Sequence, residues 1–115
     1  MLTFGSGRIF VYTHYVDMRK SINGLSILIQ ISKHDFDNGK VYVFLNKKRD
    51  KIKILVKENN GFVLLYKRLD AGHFKLSLSI KTKVLLTSQQ LRWLLDGLNY
   101  AKLTPAKNPE IRCHF

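Results

Sequence analysis

The sequence predicts a single α+β domain in which an antiparallel β-meander of four or five strands packs one face against two amphipathic helices. Three observations point there. Three apolar runs, Val41 to Leu45, Ile52 to Val56 and Phe62 to Leu69, follow one another across short polar connections. Two other stretches repeat apolar residues at helical spacing, and one of them opens on a capping-box pattern. At 115 residues and 45% hydrophobic, the chain suits one core and is too apolar for global disorder. The expected domain runs over 1–100, with 101–115 as a C-terminal tail.

Each element has a local reason. Ile9 to Thr13 is rich in β-branched and aromatic residues and reads as a first short strand. Asp17 is placed to accept the free amides of a helix start, and Met18, Ile22, Leu25 and Ile29 then recur at helical spacing, which predicts a helix from about Asp17 to Ser32. Gly24 costs that helix about 1 kcal/mol relative to alanine, as a tolerated flaw or as a site where another backbone comes close. Lys33 to Lys40, with Asp35, Asp37, Asn38 and Gly39, reads as loop.

Asn46 to Asp50 and Glu58-Asn59-Asn60-Gly61 separate the three meander strands, and Asn60-Gly61 tolerates the positive φ of a tight hairpin. Ala71-Gly72 is a further turn. After it, Phe74, Leu76 and Leu78 alternate with His73, Lys75, Ser77 and Ser79, which predicts a fourth meander strand over His73 to Ser79. Thr87-Ser88-Gln89-Gln90 matches the capping box, Leu91, Leu94, Leu95 and Leu98 line one helical face, and Gly97 or Asn99 suits a left-handed stop. Ala101 to Phe115 holds both prolines and no periodicity, the mark of a tail that docks only where it orders.

Twenty Lys and Arg against eight Asp and Glu leave a net charge of +12, which favours a polyanionic partner. The charge is concentrated. Twelve of the twenty cations lie between Lys40 and Lys83, and subtracting Asp50, Glu58 and Asp70 leaves +9 there. Lys47, Lys48, Arg49 and Lys51 share one connection, and Lys51, Lys53 and Lys57 share the odd-numbered face of the next strand. Such a stripe neutralises phosphates with little sequence preference, or alternatively keeps a sheet face soluble and guards its edge. Lys67 and Arg68 point to opposite faces, with Arg68 the better phosphate clamp unless Asp70 or Asp50 engages it. Arg19 and Lys20 sit in the expected first turn of the first helix, at a phosphate site or simply in water. The candidate nucleic-acid contacts are therefore Arg19, Lys20, Lys47, Lys48, Arg49, Lys51, Lys53, Lys67 and Arg68. Tyr12, Tyr15, Tyr42, Phe44, Phe62, Tyr66 and Phe74 are interleaved with the cations, and in so small a domain most belong to the core rather than to base stacking.

No catalytic pattern emerges. The acids fall mainly at caps and turns, His14, His34, His73 and His114 are dispersed, and Cys113-His114 lacks the paired spacing of a zinc site. Walker loops, nucleophile elbows and dinucleotide fingerprints are absent, so neither an enzyme nor a cofactor or metal is expected. One cysteine excludes an intrachain disulfide framework and fits a reducing, cytoplasmic setting. Met1 to Tyr12 is too interrupted for a secretory core, and no run approaches about 18 apolar residues, so no membrane segment is expected.

Several strings carry a further likeness: Val16-Asp17-Met18-Arg19-Lys20 with Gly24-Leu25, Val43-Phe44, Lys53-Ile54-Leu55, Gly61-Phe62, Tyr66-Lys67-Arg68-Leu69, Gly72-His73-Phe74, Leu86-Thr87 with Gln90-Leu91, and Leu94-Leu95-Asp96-Gly97. In this order and at these separations they resemble the TnpB accessory protein, encoded by the second reading frame of the insertion sequence 66 family of bacterial transposons. The likeness spans roughly Ile9 to Tyr100. It departs at Leu45 and at Val56-Lys57, where the family pattern has arginine and tryptophan. The resemblance implies a small non-enzymatic helper of a larger transposase, which would hold the strand-transfer chemistry. Arg19, Lys53, Lys67 and Arg68, basic and within the shared pattern, become the leading contacts to DNA. The rival expectation is a scaffold that grips the transposase, or another copy of itself, without touching DNA.

Overall fold

A computed structural model describes residues 9–32, 39–76 and 87–98, and the backbone of 112–114. Strands β1 (Ile9–Val11), β2 (Val41–Leu45), β3 (Lys51–Glu58), β4 (Gly61–Arg68) and β5 (Arg112–His114) form one mixed sheet in the order β4-β3-β2-β1-β5. Helices α1 (Ile22–Ile31) and α2 (Ser88–Leu95) complete an α+β domain. Arg112–His114 thus pairs with β1 as β5.

The expected antiparallel pairing holds for β2-β3-β4, whereas β1 runs parallel to β2 and to β5. Parallel neighbours need a crossover, and α1 supplies it between β1 and β2. A single covered face, as expected from sequence, is likewise corrected, because the sheet buries a separate cluster on each side. Ile9, Val11, Val43, Ile52 and Ile54 meet Leu91 and Leu94 of α2 on one face, together with Phe74 and Leu76. Phe10, Tyr42, Phe44 and Leu55 meet Leu25 and Ile29 of α1 on the other. Every residue of β1 and β2 is buried, so these strands read as continuous apolar runs rather than alternations. Leu25 and Ile29 are fully buried and stabilise the α1 face by about 1.5–3 kcal/mol each.

Helix α1 starts five residues later than expected. Ser21 is its N-cap, and Asp17 instead accepts from the Arg19 amide at 2.9 Å within a turn that precedes the helix. Arg19 and Lys20 therefore lie outside α1 rather than in its first turn. Gly24 approaches no foreign backbone: a Cβ there would stand 3.3 Å from Cβ of Lys20. The β3-β4 hairpin closes over Asn59-Asn60, with Glu58 opposite Gly61 and neither φ positive at the expected Asn60-Gly61 pair. Gly72 and Gly97 do take positive φ, the latter closing α2 after its complete Thr87–Gln90 capping box.

The expected fourth meander strand does not form over 73–76, and 77–79 lies outside the described residues. The segment instead folds over the β2-β3 connection, where the Leu69 amide donates to the Asp50 carbonyl and the Phe74 amide to that of Arg49. Phe74 and Leu76 still point inward, into the α2-side cluster.

Candidate nucleic-acid interface

Strand alternation puts Lys51, Lys53 and Lys57 of β3 on the α1 face, and the hairpin register sets Arg68, Tyr66 and Phe62 of β4 opposite them. Helix α1 covers Leu55 but leaves Tyr66 53% exposed. In this region opens a cleft of about 500 Å³. One wall is the turn Val16 to Arg19, another is Asn46, Lys47 and Lys48 of the β2-β3 connection, and Lys51 and Tyr66 complete it from the sheet.

Lys53, only 7% exposed, ties two walls together. Its Nζ donates to the Met18 and Lys20 carbonyls, both at 2.7 Å, and stands 5.1 Å from the centre of the Tyr66 ring. A buried ammonium requires such partners. Lys53 therefore acts as a strut that fixes the 16–20 turn on the sheet, and its charge is already engaged by protein groups.

Arg19 forks onto Asp17, with Nη2 2.6 Å from Oδ2 and Nε 3.1 Å from Oδ1. The guanidinium holds the Asp17 carboxyl down at about 2, through its side-chain hydrogen bonds first and the Arg19 amide second. The arginine side chain is 92% exposed, so water screens the pair, while the forked geometry keeps the guanidinium on the carboxylate. Lys47 and Lys48 are exposed at the tip of their connection. Lys51 stands 3.8 Å from Asp50, beyond direct hydrogen-bond contact, while Asn46 Nδ2 donates to Asp50 at 2.7 Å and helps to hold that carboxyl below its usual range.

The structure thus brings Arg19, Lys47, Lys48 and Lys51 into one lining and sets Arg68 beside them, opposite Lys51. Lys20 is exposed in the same turn as Arg19. Lys67 faces the other side of the sheet, where its Nζ donates to the Leu95 carbonyl at the end of α2. Arg49 turns towards the 69–76 segment at φ 58°, and its charge acts on His73 there. Asp17 joins the site although sequence marks it only as a cap, and Tyr66 is one of seven cation-interleaved aromatics that sequence assigns mostly to the core. The register could have found Tyr66, because the hairpin places it directly across from Lys53. Among the described residues no group of three or more His, Cys, Asp or Glu could hold a metal, and no helix is long and apolar enough to cross a membrane.

A family model described as IS66 Orf2 like protein matches residues 7–105, a span that contains both walls of the cleft and every strand and helix except β5. The chain belongs to the IS66 Orf2-like family. That family is one of accessory proteins rather than a known enzyme family, and membership implies an accessory role in transposition alongside the transposase of the same element. The chain is also similar to two uncharacterised proteins of Sinorhizobium fredii (strain NBRC 101917 / NGR234). It is 27% identical to y4hO over 94 residues, covering 81% of this chain and 82% of the relative. It is 28% identical to y4jC over 105 residues, covering 89% and 90%. No solved structure matches the chain.

Proposed function

We propose that this IS66 Orf2-like protein is a non-enzymatic transposition factor that holds DNA by its phosphates in the cleft between the 16–20 turn and the β2-β3 connection, assisting a separate transposase. One observation carries the reading: Lys47, Lys48 and Lys51 converge on a cleft whose lining carboxylate, Asp17, is already matched by Arg19. Ammonium groups at such a place bind by releasing counterions from the strand, which gives salt-sensitive affinity and weak sequence preference. Lys53 contributes by holding the turn rather than by touching phosphate.

A second reading, a scaffold that grips the transposase without DNA, draws on Ile27 and Ile31, which stand one turn apart on α1 at 52% and 71% exposure. A gel shift with DNA at low salt, paired with a transposase pull-down at high salt, separates the two. The DNA reading expects a shift that Lys47→Glu with Lys48→Glu abolishes. No shift by the wild type, with a pull-down that survives high salt, replaces it with the scaffold.

A further inference from the structure

We infer that the occupant of the cleft is an unpaired nucleotide of a DNA strand, its base stacked on Tyr66 and its flanking phosphates held by Lys47, Lys48 and Lys51. This deepens the DNA-binding reading and rests on it. Tyr66 is the most exposed aromatic among the described residues, at 53% against 38% for Tyr15, and it lines the cleft, whereas Tyr42 and Phe44 on the same face are fully buried. Its ring has a fixed neighbour. The Lys53 ammonium, pinned by two backbone carbonyls, sits 5.1 Å from the ring centre and favours the present orientation of the ring.

Size and chemistry agree with one nucleotide. A cleft of about 500 Å³ falls within the ~300–1,000 Å³ of small-ligand sites. Bases inside a duplex are stacked on their neighbours, so the ring can meet only a base that has left the stack. A basic groove beside an exposed aromatic is the combination by which single strands are bound, and stacking tolerates any base because each has a π-face.

The test measures binding of the full chain to three probes by fluorescence anisotropy: a twelve-nucleotide oligothymidylate, the same length of abasic strand, and a duplex. The wild type should prefer oligothymidylate to the abasic strand by about 5- to 150-fold, the range that one stacked base supplies. Tyr66→Leu, which keeps an apolar side chain on the strand, should bring the ratio of oligothymidylate to abasic affinity down to about 1. Tyr66→Phe should retain the preference. Equal wild-type affinity for the oligothymidylate and abasic strands, or a preference that survives Tyr66→Leu, overturns the stacking assignment while leaving phosphate binding in place. Absence of binding to all three probes overturns both.

Discussion

Replacing Lys47 and Lys48 together by glutamine should flatten the salt dependence of DNA binding by a calculable amount. With Arg19 matched by Asp17, the cleft offers three ammonium groups to phosphates, those of Lys47, Lys48 and Lys51. Each phosphate contact on a single strand contributes about −0.7 to the slope of log affinity against log salt, so the wild type should show about −2.1 and the double variant about −0.7. Raising salt fourfold, from 50 to 200 mM, then weakens the wild type by about 18-fold and the variant by about 2.6-fold. At 0.1 M salt the two lost contacts should cost about 25-fold in affinity. Anisotropy titrations of a labelled oligothymidylate supply all three quantities. Lys67→Gln is the control, since that lysine lies on the opposite sheet face against the Leu95 carbonyl. A wild-type slope near zero, or equal flattening by Lys67→Gln, refutes the assignment of the contacts to this cleft.

Three other perturbations have signed outcomes. Asp17→Asn frees Arg19 as a fourth contact, so affinity for the same oligomer should rise about 5-fold at 0.1 M salt, and unchanged affinity would show that Arg19 does not reach phosphate. Lys53→Met preserves the unbranched stem but leaves the Met18 and Lys20 carbonyls without their donor; urea unfolding should show a loss of about 2 kcal/mol, and an unchanged midpoint denies the strut. His73 titrates below its ordinary value because of Lys75 first, then desolvation, then Arg49. Its unfolded form therefore binds protons more readily, so its contribution to stability is full at pH above 6.5 and declines as pH falls through that value. By NMR titration, Lys75→Gln should move the His73 midpoint upward, and a midpoint that stays put removes Lys75 as the cause.

What the sequence reveals about this molecule is what neighbouring residues decide. The β2-β3-β4 hairpins follow from apolar runs between polar turns, and α2 from a capping box that needs only Thr87 and Gln90. The start of α1 misleads because an aspartate just before an apolar periodicity has two local uses: Asp17 bonds the Arg19 amide and side chain, and Ser21 takes the cap position. Parallel pairing of β1 was open to inference from the strand-helix-strand order, which calls for a crossover, but the three-residue length of β1 gives little pattern to work with. Alternation of Phe74 and Leu76 correctly marks two inward side chains, yet their backbone amides bond to Arg49 and within the segment rather than to a strand. At the candidate site, the odd-numbered lysine face of β3 was legible because side chains alternate. Burial of Lys53 was not, since it depends on carbonyls more than thirty residues away in sequence. The same holds for Lys67, whose acceptor belongs to α2.

DNA held as proposed lies on one face of the protein, at one cleft. Lysine acetylation read by mass spectrometry, with and without a saturating oligothymidylate, reports which face is covered. DNA should protect Lys47, Lys48 and Lys51 while the exposed Lys75, outside the cleft lining, reacts at its unliganded rate. Equal protection of Lys75, or none at the three cleft lysines, would contradict that placement.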